Sequence, residues 1–446
     1  MRDGVFALAT APGRAAIAVI RLSGEGVGAV VERLVGKLPP PRRASTRRLR
    51  DPDTAELVDE ALVLWLPGPG SFTGEDSAEL HLHGGAAVVA RVAELLLRLG
   101  LRLAEPGEFT RRAFENDRLD LAQAEAVADL VDAETEAQRR QALAQLRGDL
   151  SRRHETWRSA LLDALAMLEA AIDFPDEDLP DALVAGARER LSGVAREIAD
   201  SVGDTRGERV REGYRIALIG VPNAGKSSLL NGLVGRDVAI VTEIAGTTRD
   251  VLETPLVLGG YSVVLADMAG LRATNDRVEA EGVRRAGAWA QAADLRLLVV
   301  DGASTGSGWT GPADLLVQGD LVLLNKSDCP PGADRRAAEG WAIERGLETL
   351  AVSIRAEELD MLRSRLTEKA TAAMTGAEFP AATRMRHREA LSTASGFLDR
   401  ALHAESDPEL VAENIRLAAR SLERIAGRLD PESVLDRVFS TFCIGK

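Results

Sequence analysis

A multidomain chain of α/β and all-helical parts is what the sequence predicts: an N-terminal α/β domain, a discontinuous helical domain, and a nucleotide-binding α/β domain inserted into it. Three observations carry this. Residues Gly220 to Ser227 read Gly-Val-Pro-Asn-Ala-Gly-Lys-Ser, a complete phosphate loop between the strand-like run Arg215 to Ile219 and a helix that opens at Lys226. Short apolar strands alternate with helical stretches over residues 1–117, as α/β domains do. An Ala-, Leu-, Glu- and Arg-rich composition fills about 118–205 and returns over 384–404 and 408–438.

A length of 446 residues suggests about three domains, and 45% hydrophobic residues suffice for real cores. No run of about 18 uncharged apolar residues occurs, and the N-terminus meets Pro12-Gly13 before a signal-length apolar stretch forms. A soluble, cytoplasmic protein without membrane contact is expected. Two cysteines, Cys329 and Cys443, allow neither a disulfide framework nor a zinc spacing. A net charge of −14 disfavours a broad electrostatic grip on nucleic acid, so RNA contact should be local or shared with a partner. Arg42, Arg43, Arg47, Arg48 and Arg50 form the conspicuous basic run. Without interleaved aromatics to stack on bases, they read as a solvated loop.

The elements follow in chain order. Ala15 to Arg21 and Ala61 to Trp65 read as strands, and residues near 25–35 and 86–99 as helices. His81 and His83 stand two apart on one strand face, with no third metal ligand in view. Leu161, Leu165, Leu168 and Ile172 recur at helical spacing and read as the core stripe of long packed helices. Ser201 to Glu208, with two glycines, reads as a linker. The predicted domains are therefore 1–117, 118–210, 211–375 and 376–446, the second and fourth being one helical domain. An inserted domain held at both ends can transmit its movement to the helices.

The phosphate loop has a defined chemistry. Gly220 and Gly225 let backbone N–H groups turn toward phosphate oxygens at a helix N-terminus. Lys226 reaches the outer phosphates and Ser227 offers its hydroxyl to Mg²⁺. Downstream, Asp267-Met268-Ala269-Gly270 follows the apolar run Tyr261 to Ala266; Asp267 is suited to act on Mg²⁺ through water, and the Gly270 amide to sense a γ-phosphate. Leu321 to Leu324 leads into Asn325-Lys326-Ser327-Asp328, where the carboxylate can accept two hydrogen bonds from the guanine N1 and N2 edge. Adenine lacks that edge, so GTP or GDP is the expected ligand. All three motifs stand at strand ends, where open α/β sheets bind ligands. Between the first two lies the switch-like segment Thr242-Glu243-Ile244-Ala245-Gly246-Thr247-Thr248-Arg249-Asp250, whose Thr248 could complete the Mg²⁺ shell when GTP is present. Ser353, Ile354 and Arg355 end a fifth apolar stretch and offer backbone N–H groups to the base. Leu271 occupies the position where many signalling GTPases carry a water-positioning glutamine, so hydrolysis requires another device.

These motifs, with Ser71-Phe-Thr-Gly-Glu-Asp76 and Glu79, Pro106 to Phe109, Leu119 to Glu125, Asp173 to Glu177 and the terminal Phe442-Cys-Ile-Gly-Lys446, resemble the tRNA modification GTPase family MnmE (TrmE) over nearly the whole chain. The resemblance implies a Ras-like P-loop G domain at 211–375 and an N-terminal tetrahydrofolate-binding and dimerisation domain at 1–117. It implies that Ser228 and Ala224 join Asn223, Gly225, Lys226 and Ser227 around GTP. Asn223 would ligate K⁺ together with Thr242, Ile244 and Thr247, the cation standing in for an arginine finger. Glu279 would orient the hydrolytic water indirectly. Arg21, Glu79, Arg118 and Lys446 would line the folate site, a set of mixed charge suited to a ligand with carboxylates at one end and a donor-rich pterin at the other. Where better-known members carry lysine, Arg118 keeps the charge and changes the geometry. Met268 and Ile354 also depart from the usual residues, and the segment 301–324 looks short where a longer helix is expected.

The implied function is K⁺-stimulated GTP hydrolysis by a homodimer acting with MnmG, an FAD protein, in a heterotetramer or larger complex, tRNA being held mostly through that partner. The complex would install an aminomethyl or carboxymethylaminomethyl group at C5 of the wobble uridine, using a 5,10-methylene- or 5-formyl-tetrahydrofolate derivative, with Cys443 as a functional thiol. Cys329 reads as an incidental loop thiol. The competing reading is a regulatory or ribosome-assembly GTPase without modification chemistry, which leaves Ser71 to Glu79 and the Cys443 tail without a role.

Overall fold

The computed structural model describes residues 3–173, 181–235, 252–268, 277–306, 308–353, 356–404, 407–427, 432–442 and 444–445. They divide into two compact units, the first made of residues 1–132, 142–200 and 389–446, the second of 133–141 and 201–388.

The first unit opens with β1 (Val5–Leu8), β2 (Ile17–Ser23), α1 (Val27–Val35), β3 (Ser45–Arg50), β4 (Leu57–Leu66), β5 (Ser77–His83), α2 (Ala86–Arg98), β6 (Arg102–Leu103) and α3 (Glu108–Glu115). The strands form one sheet in the order β3-β4-β5-β2-β1-β6. Alternation assigns its two faces. Ile20, Leu22, Leu49, Ala61, Val63, Ala78, Leu80 and Leu82 are buried in one cluster with Val27, Val31 and Leu34 of α1 and Val92, Leu95 and Leu96 of α2. Each Val, Leu or Ile among them contributes roughly 1.5–3 kcal/mol by leaving water. The intervening residues, Arg21, Glu60, Glu79 and His81, therefore point to the face those helices leave open. On that face Val5, Ala7 and Ala104 pack under Phe109 of α3.

Helices follow: α4 (Leu121–Asp132), α5 (Glu136–Leu146), α6 (Asp149–Asp173) and α7 (Asp181–Val202). The expected stripe holds where it is described, with Leu161 and Leu165 buried and Leu168 half-buried; Ile172 lies outside the described side chains.

The second unit is built from α8 (Arg206–Glu212), β7 (Tyr214–Ile219), α9 (Lys226–Val234), β8 (Leu252–Leu258), β9 (Tyr261–Asp267), α10 (Arg277–Ala292), β10 (Leu295–Asp301), α11 (Thr310–Ala313), β11 (Leu321–Asn325), α12 (Ala333–Glu344), β12 (Glu348–Ala351) and α13 (Ala356–Met374). Its sheet runs β12-β11-β10-β7-β9-β8, parallel except for the antiparallel edge strand β8. Both faces are covered. Ile216 and Leu218 pack with Leu229 and Leu233 of α9 and Leu362 and Leu366 of α13, while Ala217 and Ile219 pack with Ala290 of α10 and Ala338 and Ala342 of α12. Burial on both sides explains why these strands are continuously apolar. Only the one-turn α11 separates β10 from β11 among described residues, in keeping with the short segment noted at 301–324.

The chain closes with α14 (Met385–His403), α15 (Pro408–Glu423) and α16 (Glu432–Phe439). Asp407 caps α15 by accepting from the Leu410 amide, with Pro408 in the first turn where its missing N–H costs nothing. In the first unit α15 meets α6 through Arg158 and Glu423 at 2.8 Å and through Arg416 and Glu169.

Two local expectations are corrected. Arg47, Arg48 and Arg50 do not sit in a loop: they belong to the edge strand β3, which Leu49 anchors in the core while the full β4 register pairs its backbone. The supposed linker 201–208 holds the end of α7 and the start of α8, with a break of three residues at 203–205. Gly207 is there for packing. A Cβ on it would lie 2.2 Å from the Ala382 carbonyl oxygen.

Candidate nucleotide and folate sites

Strand β7 delivers the chain to the phosphate loop at the point where the sheet order reverses, β9 lying on one side and β10 on the other. The loop is tightly wound. Gly220 has φ 147° and Gly225 φ 99°, and a Cβ on them would stand 2.5 Å from the Val299 carbonyl oxygen and 2.0 Å from Asn325 Nδ2. Asn223 takes φ 65°, a left-handed conformation that asparagine tolerates better than most residues. Its side chain is exposed and makes no hydrogen bond among the described residues, so its amide oxygen is available to a cation.

Lys226 is 6% exposed and donates to the carbonyls of Gly220 at 2.9 Å and Val221 at 3.0 Å. Burial pushes its pKa down, and the nearby Asp267 carboxylate works against that shift. Ser227 Oγ donates to Asp267 Oδ2 at 2.7 Å, while the other carboxylate oxygen of Asp267 is buried without a partner. A hydroxyl beside an unsatisfied carboxylate oxygen fits the hard-oxygen chemistry of Mg²⁺.

The third motif closes the site from β11. Asn325 donates from Nδ2 to the Ala224 carbonyl at 2.7 Å and so ties this strand end to the phosphate loop, while its Oδ1 is buried and unpartnered. Lys326 Nζ meets Asp301 at 2.6 Å, and the Ser327 amide donates to Val352 O at 3.1 Å while its hydroxyl donates to Glu358. Between these elements lies a cavity of about 760 Å³ lined by Asn223, Gly225, Lys226, Ser227, Ser228, Asn325, Lys326, Asp328, Cys329 and Ser353. The volume suits a nucleotide-sized ligand.

Ala224 is buried in the loop, and Met268 turns its side chain into the core while its amide donates to Leu218 O at 3.1 Å. Glu279 stands in the first turn of α10. Thr242, Glu243, Ile244, Ala245, Gly246, Thr247, Thr248, Ala269, Gly270, Leu271, Ile354, Arg355, Cys443 and Lys446 lie outside the described residues. Three features escaped the sequence. Cys329 lines the cavity, Asp301 holds Lys326, and Glu358 holds Ser327. Asp301 was accessible in principle, because it ends an apolar strand as Asp267 does.

In the first unit, the β2–β5 register sets Arg21 opposite Glu79. Arg21 donates from Nε at 3.1 Å and Nη2 at 2.9 Å to Glu79 Oε1, and His81 Nε2 lies 3.2 Å from Oε2. Burial disfavours the ionised Glu79, but the charge and hydrogen bonds of Arg21, with His81, hold its pKa below the ordinary glutamate value. The Arg21 guanidinium lies 6.0 Å from the Phe72 ring centre and 5.9 Å from that of Phe109. Arg118 is exposed, and no hydrogen bond or ion pair joins it to Arg21 or Glu79 among the described residues. Its stem runs beside Gly74, whose added Cβ would be 3.3 Å from Arg118 Cγ. The C-terminal tail reaches the same sheet. A Cβ on Gly445, at φ 95°, would lie 2.5 Å from the Leu8 carbonyl oxygen. His83 bonds Asp59 at 2.7 Å, so the two histidines serve different carboxylates, and no cluster of three metal-ligating side chains occurs among the described residues. No helix among them is long and apolar enough to cross a membrane.

Comparison with known proteins joins the two sites in one chain. Residues 4–118 match the family described as GTP-binding protein TrmE N-terminus, and residues 121–443 match the MnmE helical domain family. Proteins called tRNA modification GTPase MnmE from Phenylobacterium zucineum, Caulobacter vibrioides and Maricaulis maris are 57%, 58% and 50% identical to it, each alignment covering 100% of both chains.

Proposed function

This chain belongs to the MnmE family of tRNA modification GTPases, and we propose that it couples K⁺-stimulated GTP hydrolysis to installing an aminomethyl or carboxymethylaminomethyl group at C5 of the wobble uridine. It is a GTP hydrolase of tRNA modification. The cavity that brings Lys226, Ser227 and Asp328 together carries the reading.

Lys226 meets the outer phosphates and Asp328 the guanine edge, so one ligand spans the cavity with its charge at the loop and its base at β11. Ser227, with Thr248 and the unsatisfied oxygen of Asp267, would hold Mg²⁺, and Asn223, with Thr242, Ile244 and Thr247, would hold K⁺. When bound, these cations offset negative charge on the phosphate oxygens and at the β/γ bridge. Glu279 orients the water indirectly, a task Leu271 cannot perform.

Arg21 and Glu79 offer a donor and an acceptor on the open sheet face, with Phe72 exposed beside them. Together with Arg118 and Lys446 they would hold a 5,10-methylene- or 5-formyl-tetrahydrofolate derivative, which supplies the one-carbon unit, near the Cys443 thiol. The protein acts as a cytoplasmic homodimer with an FAD-containing partner in a heterotetramer or larger assembly. A regulatory GTPase would make no use of this second site. GTP turnover should rise several-fold when K⁺ replaces Na⁺, and Asn223→Ala should remove that difference while leaving GDP affinity within about three-fold, because one oxygen ligand is lost and no phosphate contact. A full K⁺ response in the variant would sink the cation assignment.

A further inference from the structure

We propose that edge strand β3 and the turn before it bind the phosphate backbone of tRNA directly, on the sheet that also carries Arg21 and Glu79; the inference rests on the tRNA-modification reading. Residues 33–50 contain seven basic side chains and no acidic one, in a chain of net charge −14. Arg33 and Lys37 lie at the end of α1 and just beyond it, and Arg42, Arg43, Arg47, Arg48 and Arg50 continue along the turn into β3. Of the seven, Arg48 alone has a carboxylate within 4 Å among the described residues, Glu60 at 2.7 Å. Arg42, Arg47 and Arg50 donate to the carbonyls of Pro67, Thr46 and Ala55, which orients them without cancelling their charge. The acids that follow the strand are already engaged. Asp51 accepts from Arg91 at 2.7 Å and Arg98 at 2.9 Å, and Asp53 from Arg98 at 3.1 Å.

Pairing geometry adds direction. Thr46 faces Leu62, which faces His81, and Arg48 faces Glu60, so Thr46 and Arg48 share the open face with Arg21, Glu79 and His81, whereas Arg47, opposite Ala61, lies on the face of Leu49. Two strand spacings, about 10 Å, separate β3 from β5. A strand of RNA whose phosphates follow β3 can therefore lay a base over Glu79. Guanidinium groups bind phosphate by charge-assisted, forked hydrogen bonds, and each neutralised phosphate releases counterions. An acidic protein partner is the competing occupant. It would not need the stripe to share a face with the reaction site.

The test is binding of an unmodified tRNA transcript to the full-length protein at a series of KCl concentrations. Arg43→Gln/Arg48→Gln/Arg50→Gln should weaken binding at least ten-fold near 0.15 M salt and reduce the slope of log affinity against log salt by about 2–3, one per lost contact. The corresponding triple lysine variant should keep most of the slope, which guards against misfolding, and GTP turnover without tRNA should stay unchanged. Wild-type binding that the three glutamines leave intact overturns the surface alone. An equal loss from Arg139→Gln/Arg140→Gln/Arg196→Gln, exposed arginines elsewhere, overturns it too, as does weakened partner assembly with tRNA binding intact. A wild-type protein that holds no tRNA would overturn the underlying reading as well.

Discussion

The Lys226 ammonium is nearly buried and shared between two carbonyls of its own loop, an arrangement that burial makes costly and that phosphate charge would relieve. Its position, with Ser227 and Asp328, was legible in the sequence because each motif residue sits beside a strand that announces itself by continuous apolarity. Cys329 was not, since nothing in Asp328-Cys329-Pro330-Pro331 says which way the thiol faces. It is exposed and lines the cavity, so GDP should slow its reaction with a thiol reagent several-fold in a Cys443→Ser background; equal rates with and without GDP would place the nucleotide elsewhere. Glu79 makes a second residue-scale prediction. Its folded pKa is lowered, so its contribution to stability is present above the ordinary glutamate value, about 4.3, and is lost as pH falls through the lower folded value. The gap in thermal midpoint between wild type and Glu79→Gln should therefore narrow below about pH 4. A constant gap from pH 7 to 3 would show that Arg21 is not the cause.

Among the elements, those with strong local periodicity matched expectation, and those held by non-local contacts did not. β3, Ser45–Arg50, carries three arginines with serine and threonine at its other polar positions; only pairing with β4 and the burial of Leu49 make it a strand. The sequence could show neither. α8 was hidden by Gly207, which lowers helix propensity but fits where a side chain cannot. Two glycines thus separate propensity from packing. Gly193 in α7 has open space, and alanine there should raise stability by about 0.5–1 kcal/mol. Gly207→Ala gains the same propensity, yet its Cβ would stand 2.2 Å from the Ala382 carbonyl oxygen, an overpacking cost of about 1–3 kcal/mol that outweighs it. Chemical denaturation of both variants decides the point, and a stabilising Gly207→Ala would refute the packing role.

At the scale of the whole molecule, the chain carries two kinds of chemistry: a guanine-nucleotide cavity at the strand ends of one sheet, and a charged face with an approaching C-terminal tail on another. Coupling between them is the central claim. It is tested most directly by the nucleoside composition of tRNA incubated with this protein, the FAD-containing partner, the reduced folate and either GTP or GDP. C5-modified wobble uridine should accumulate with GTP and stay near background with GDP or with Lys226→Ala. Equal modification with GTP and GDP would contradict the account.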